Sequence, residues 1–541
     1  MYASALQRHN IVLVIVLLTL LFSLTYFRHA TYKFETPLPV NDLQPPPPLQ
    51  QQQQQQPHRV NASPPPPSWK YTEGNSSEAI CSNVDFTWLV SDREHWDGWV
   101  SKAMFMKPEG NYTSKDVTIA AGDSVCVVVM LGPIPAVSAI RPEQHFAPAD
   151  SITIHAVGDM VKVPITLEQH DKHSNVYYSS VYFAHPDVYQ LESTTEYRSY
   201  FWETPIYHPY RPFHYTSHNS LIVNAAAGID KSLKPSCNGY ISTGSSWINK
   251  TEYQRLHPLD FYGMFGDAQE DHVVDDRLFV PDQCRMDYIS TSQAIQCLEG
   301  KTFHVWGDNN MKRNLKAFST PSWCSEKPTS NDDSSSNDEG QPRCICNDDS
   351  EGDNDVWGTD TNEPLLIRDT WHDDIAFHFN PIGSITLDDW QDRVKQRISE
   401  LPRANIVLLS LGNDDIPLSR MTPRQFWNSF MELTSFLLNE IYSDQTIIVR
   451  TPQYFCCGNV HGTSWNSGRS RAFATVIRQA VKLLASERSN VLLWDVHRLG
   501  MEDNTCVASG SAYTKRSVVN IENLLLWNLM CPAASSSSPP S

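Results

Sequence analysis

Four times after residue 299 a short β-branched apolar run gives way to a longer helical one, and this rhythm limits the possible folds more than any other feature. Thr302–Trp306 precedes a candidate helix at 310–318, and Ile406–Leu411 (IVLLSL) precedes Pro423–Tyr442. Thr446–Arg450 (TIIVR) precedes Gly468–Ser486, and Val491–Asp495 (VLLWD) leads to Ser517–Cys531. Near-continuous apolar strands alternating with amphipathic helices are what a parallel sheet needs when helices cover both its faces. An α/β domain over 299–531 is therefore predicted. Its interior stretch 325–361 is rich in Asp, Asn, Ser and Gly (NDDSSSNDEG, NDDSEGDND) and is expected to be a disordered acidic insertion; no calcium-loop spacing occurs in it.

Upstream the pattern is β without helical periodicity. Val125–Met130 (VCVVVM), Ile152–Val157 (ITIHAV), Met160–Leu167 (MVKVPITL) and Val176–Phe183 (VYYSSVYF) are separated by turn formers such as Ala121-Gly122-Asp123 and Gly158-Asp159. Short strands in this order predict an antiparallel β-sandwich over 76–235, with 236–298 as a connecting region. The aromatic-rich exit Tyr197–Tyr215 suits core and interdomain packing, or a ligand surface.

The remaining segments bound the compartment. Residues 11–27 (IVLVIVLLTLLFSLTYF) form an uncharged apolar run at the short end of what crosses a bilayer as a helix, about 20 residues being typical. No small-x-small cleavage site follows, which favours a retained signal anchor of single-pass type II orientation over a cleaved signal peptide. Residues 1–10 then form a cytosolic tail, and 28–75, with Pro45–Pro48, Gln50–Gln56 and Pro64–Pro67, an extended stem; 532–541 form a disordered tail. All twelve cysteines and the glycosylation acceptors Asn61, Asn75, Asn111 and Asn249 follow the apolar run. The cysteine spacing matches no zinc set, so disulfides in an oxidising lumen are expected, in the Golgi or secretory pathway or at the cell surface. A formal charge of −19 without a basic patch argues against a nucleic-acid partner. No metal-ligand set and no cofactor motif is evident.

Ligands of open parallel sheets bind at the carboxyl ends of the strands. Three such places carry polar residues here: Gly307-Asp308-Asn309-Asn310, Gly412-Asn413-Asp414-Asp415, and Ser509-Gly510-Ser511-Ala512-Tyr513 before the last helix. With these blocks the α/β region resembles the SGNH/GDSL hydrolases, and within them the PC-esterase branch of NXPE-type and cell-wall O-acetyltransferase-like proteins. The resemblance implies an N-terminal membrane segment and, as in NXPE-type members, an immunoglobulin- or filamin-like sandwich before the esterase-like domain. It also implies a Gly-Asp-Ser nucleophile turn, an oxyanion-binding Asn, and a late Asp-x-x-His supplying base and orienting carboxylate.

The motifs carry over in part. Gly307-Asp308 fits, with Arg313 following, but Asn309 stands at the serine position. Asn413-Asp414 fits the third block, although Leu411 stands where its glycine would be. Ser509 and Ala512 occupy the Asp and His positions. An amide is no nucleophile at neutral pH and alanine accepts no proton, while a bare oxyanion site retains only about 10³–10⁴-fold acceleration over water. Asp495 and His497 are possible substitutes at a strand end, with His304, His372 and His461 also available. What would survive is binding: amides and side chains at Gly307, Asp308, Asn310, Asn413 and Asp414, with Trp306 and Trp323 to stack on sugar faces. The expected function is a membrane-anchored protein with a catalytically degenerate domain that binds or scaffolds a glycan or polysaccharide. The alternatives are an active O-acyltransferase or esterase on cell-surface or wall polysaccharide, and a structural or adhesive ectodomain.

Overall fold

The computed structural model describes residues 81–82, 84, 102–107, 115–131, 150–170, 175–197, 213–226, 237, 244–259, 261, 272–282, 284–319, 365–368, 375–382, 384–385, 390–413, 415–418, 421–454, 467–500 and 516–531. The apolar run 11–27, the stem, the acidic stretch 325–361 and the tail 532–541 lie outside the described residues. Among those described, no helix is long and apolar enough to cross a membrane.

The first half is antiparallel. Its strands are β1 (Lys102–Phe105), β2 (Val117–Ala120), β3 (Ser124–Met130), β4 (Ser151–Val157), β5 (Val161–Pro164), β6 (Glu168–Gln169) and β7 (Val176–Tyr182). They continue as β8 (Asp187–Tyr197), β9 (Phe213–Thr216), β10 (Leu221–Asn224), β11 (Ser245–Asn249), the helix α1 (Lys250–Leu256) and β12 (Arg277–Pro281). One sheet has the order β1-β3-β7-β6; the other runs β12-β11-β5-β4-β8-β10-β2, with β9 also on β8. All pairings are antiparallel except β10 with β2. Alternate residues of both sheets, among them Phe105, Val127, Tyr177, Ile154, Leu191 and Ile248, meet in one apolar cluster, as two facing sheets require.

The span 236–298, expected to connect, does more than that. β11 and β12 extend the second sheet, and their two faces serve different cores. Ile248, Leu278 and Val280 point into the antiparallel core, whereas Trp247 and Phe279 join the core beneath the second half. A strand pair with period-two burial on both sides thus welds the halves.

The second half contains α2 (Thr291–Leu298), β13 (Thr302–Gly307), α3 (Asn309–Ser319), β14 (Leu365–Arg368), β15 (Ala376–Pro381), α4 (Trp390–Glu400) and β16 (Ile406–Ser410). After these come α5 (Asp415–Leu418), α6 (Pro423–Phe436) running into a π-turn at Leu437–Ile441, β17 (Thr446–Arg450), α7 (Ser467–Glu487), β18 (Val491–Trp494), a 3₁₀ turn Val496–Leu499 and α8 (Arg516–Met530). The sheet order is β14-β15-β13-β16-β17-β18, parallel throughout except at β14. Phe303, Val305, Leu408 and Ile448 face α3 and α8, while Val407, Leu409, Ile447 and Val449 face α6 and α7. Local signals agree with this: α6 starts with Pro423 behind a capping box, in which Thr422 Oγ1 accepts from Gln425 N and Gln425 Oε1 accepts from Thr422 N. Leaving aside β14, the strands taken in chain order stand 2-1-3-4-5, so the direction of winding reverses between β13 and β16. Connections leave those two strands toward opposite faces, the arrangement that in open α/β sheets places a ligand crevice at the carboxyl ends of the strands.

Among the described residues three disulfides join Cys81 to Cys126, Cys237 to Cys284 and Cys297 to Cys531. Of the expected acceptors only Asn249 is among the described residues; it caps α1, its Oδ1 accepting from Thr251 N and Glu252 N, which leaves Nδ2 out of the cap.

Candidate functional site

The crevice is built from three strand ends. β13 ends in Gly307, where a Cβ would lie 3.0 Å from Met311 Cβ and 3.1 Å from Ser410 Cβ, so glycine lets α3 start tight against β16. Asp308 follows and caps α3: its Oδ1 accepts from Asn310 N at 3.0 Å and Met311 N at 3.2 Å. Its Oδ2 is buried and has no hydrogen-bond partner among the described residues. Burial raises this carboxyl above its ordinary pKa, against the opposing pull of Arg450 and the Asn413 amide.

β16 ends in Ser410, whose buried hydroxyl has no partner, and turns through Gly412 at φ +102°, with Phe426 and Pro452 against it. Asn413 is thereby fixed: its Oδ1 accepts from Gln453 N at 3.0 Å, while Nδ2 stays unbonded beside Asp308. Asp415 opens α5 and accepts from Ser384 Oγ at 2.6 Å and Ile385 N at 3.1 Å. Its pKa is pushed up to about 6, chiefly by burial and further by Asp308.

β17 ends in Arg450, whose Nη2 donates to Glu522 of α8 at 3.0 Å and whose Nε has no partner. Glu522 also accepts from Asn314 of α3 at 2.8 Å, and Trp494 Nε1 donates to the Glu522 carbonyl at 2.7 Å. Both polar atoms of the buried Gln453 amide are unbonded. Among the described residues the strand ends therefore gather donors (Asn413 Nδ2, Arg450 Nε, Gln453 Nε2) and acceptors (Asp308 Oδ2, Ser410 Oγ, Gln453 Oε1) that have no partner. Leaving one such buried group unmet costs about 1–3 kcal/mol, so a polar ligand or water that meets several at once gains accordingly.

The expected residues meet here in part. Gly307, Asp308, Asn310 and Asn413 converge; Asn310 keeps 8% exposure. Asn309 opens α3, while Asp414, Ser509, Ala512, His372, His461 and Trp323 lie outside the described residues, as do Asn61, Asn75 and Asn111. Asp495 and His497 do not form an acid–base pair. Burial raises the Asp495 carboxyl, but the guanidiniums of Arg478 and Arg498 outweigh it and hold the group ionised far below the usual range. Its oxygens accept from Arg478 Nε and Nη2, Arg498 Nε and Thr451 Oγ1. His497 instead has Nε2 3.2 Å from Ser470 Oγ, and burial, seconded by Arg478, keeps it neutral. Ser470 is 0% exposed on the first turn of α7, and its hydroxyl also lies 3.1 Å from the Ser467 carbonyl. His304 is structural: its ring bonds the Tyr442 hydroxyl and the Pro402 carbonyl, and burial lowers its pKa to about 4.

Arg450, Gln453 and Glu522 were not among the expected site residues, and Asp415 had entered only as the last member of the block Gly412-Asn413-Asp414-Asp415. Arg450 ends the strand TIIVR and Gln453 follows it, so the rule that strand ends carry ligands would have found them. Glu522 lies mid-helix and gives no such signal.

A second layer fixes the crevice from behind. Arg469 of α7 donates from Nε and Nη2 to the Ile416 carbonyl at 3.0 and 2.7 Å, holding the loop after β16. The start of α7 is in turn capped from the antiparallel half. Glu196 Oε2 accepts from Ser467 Oγ at 2.7 Å, Ser467 N at 3.2 Å and Ser151 Oγ at 2.6 Å, and Gly468 N donates to Ser151 Oγ at 2.8 Å. Among the described residues no three His, Cys, Asp or Glu side chains gather as a metal site.

No protein-family model matches the chain. No curated protein matches it either. Among the solved structures that match, one is similar over 42% of this chain and 96% of its own, at 11% identity and a TM-score of 0.26, a likeness too slight to bear on fold or function.

Proposed function

We propose that the chain is a secretory-pathway or cell-surface glycoprotein, anchored through residues 11–27, that binds a glycan in the crevice of a catalytically degenerate SGNH/PC-esterase-like domain. On this reading the antiparallel half is the immunoglobulin- or filamin-like sandwich of the NXPE-type proteins, and three disulfides suit an oxidising compartment. The observation that carries it is the cluster of buried polar atoms at the winding reversal that have no partner among the described residues, with Asp308 Oδ2 beside Asn413 Nδ2. Sugar hydroxyls both donate and accept, and so can satisfy such a mixed set. Asn309 at the start of α3 supplies no hydroxyl to attack an ester.

One observation favours a second reading, that of an active acyltransferase or esterase: the contact between Ser470 and His497. Against it stand the burial of that serine and the commitment of Asp495 to arginines, which leaves His497 without an orienting carboxylate there. A single experiment separates the two. The full chain is assayed for acetyl-ester turnover and for retention on immobilised polysaccharides, beside Asn413→Ala, Ser470→Ala and the triple variant Asn309→Ser, Ser509→Asp, Ala512→His. Retention lost in Asn413→Ala, with turnover only in the triple variant, supports the binding role. Wild-type turnover abolished by Ser470→Ala overturns it.

A further inference from the structure

At the carboxyl ends of the same strands, on the face turned toward α4, lies a groove of about 230 Å³ that the crevice residues do not line. Trp306 of β13 stands opposite Asn380 of β15 in register, and the two form the strand side of the groove. Trp390, Arg393, Arg397 and Glu400 of α4 line the other side, at spacings that place them along one helix face. Trp306 is pinned, its Nε1 donating to the Tyr442 hydroxyl at 2.8 Å.

The charges are unevenly spent. Arg397 is committed, donating from Nε to Asn380 Oδ1 at 2.8 Å and from Nη1 to Glu400 at 2.8 Å. Arg393, one turn earlier, is exposed, and none of the described residues bonds or pairs with it. Arg397 and Glu400 cancel, so the groove keeps one uncompensated positive charge in a chain whose formal charge is −19. A planar, always-charged guanidinium matches a carboxylate through two parallel N–H···O bonds. Indole rings beside it favour a ligand with a ring face. The volume falls below the roughly 300–1,000 Å³ usual for drug-sized ligands, which limits the occupant to about one ring.

We propose that this groove binds a ring-bearing monocarboxylate, its carboxylate on Arg393 and its ring against Trp390 between α4 and the end of β15. Two sources offer that chemistry, a hexuronate and an aromatic acid. The site is separate from the Asp308–Asn413 crevice and stands whether or not the crevice binds a glycan.

Ligand-observed saturation-transfer NMR on the full chain tests it with glucuronate, glucose, benzoate and benzamide. Binding of glucuronate or of benzoate, without binding of its neutral counterpart, is expected, and the tighter of the two identifies the source. Arg393→Gln should weaken that binding at least about tenfold, the scale of a charge-assisted hydrogen-bonded pair. Arg393→Lys, which keeps the charge and loses the fork, should fall between. Since Arg393 lies on the surface, neither substitution threatens folding. No binding by either acid, equal binding by the neutral partners, or unchanged affinity in Arg393→Gln overturns the assignment.

Discussion

Replacing Glu196 by alanine removes the one carboxylate that ties the antiparallel half to the start of α7. Its Oε2 accepts from two serine hydroxyls and one backbone N–H, all buried. Hydrogen bonds to a charged group contribute about 1.5–3 kcal/mol each, but the three losses do not add. The hydroxyls of Ser151 and Ser467 are already 3.4 Å apart and can turn toward one another, and Gly468 N keeps its bond to Ser151. The Ser467 N–H, at the head of the helix, has no such substitute. The net cost is therefore about 3 kcal/mol, and Glu196→Gln, which keeps one acceptor oxygen, should cost about half as much. Urea denaturation followed by tryptophan fluorescence reads these values. A double-mutant cycle with Ser467→Ala should show a coupling of at least about 1 kcal/mol. Stability of Glu196→Ala within about 0.5 kcal/mol of wild type, or a coupling indistinguishable from zero, would refute the lock.

Asp415 has its folded pKa raised from 3.8 to about 6, so between those values the folded state holds more protons than the unfolded one and stability declines as pH rises. The decline amounts to about 3 kcal/mol, complete near pH 7, and Asp415→Asn should flatten that part of a melting profile taken from pH 4 to 8. Gly468→Ala would bring a Cβ to 3.0 Å from the Ser151 backbone and 2.7 Å from its hydroxyl. It should lower the melting temperature at a cost of about 1–3 kcal/mol, with only partial relief when Ser151 is also changed to Gly. Glu522→Leu leaves the Arg450 guanidinium buried without its carboxylate and should cost about 3–5 kcal/mol in urea denaturation; the pair Arg450→Met with Glu522→Leu should cost much less.

The second half was legible because its burial follows a simple rule. Residues 406–409 and 447–449 are unbroken apolar runs, as strands covered on both faces must be, and the four strand–helix pairs that were expected start and stop within a residue or two of the observed ones, whereas β14, β15, α4 and α5 were not anticipated. β8 shows why the first half was harder. Ser193, Thr194, Thr195 and Glu196 are all buried, because one face of the strand meets its own core and the end of the other meets α7. Polar residues that are buried by bonding across an interface read in sequence as a loop. β11 and β12 were absorbed into a connector for a related reason: five residues whose alternate sides belong to different cores carry no consistent polar face. At the site, strand ends pointed to Asp308 and Asn413, which the fold brings side by side, whereas Glu522 depends on how α8 folds back over β17, which no local spacing encodes.

The bond between Cys297 and Cys531 spans 234 positions and encloses the whole parallel sheet in a covalent ring. A single protease cut anywhere between those cysteines would release nothing: the fragments would stay tethered and separate only after reduction. Chain-entropy arithmetic for a ring of that size gives about 5 kcal/mol of stabilisation against the unfolded, reduced chain. The ring also sets an order of events, since it closes only after Cys531 has been made. Until then the chain is open, and only with its last helix in hand does it become a finished belt.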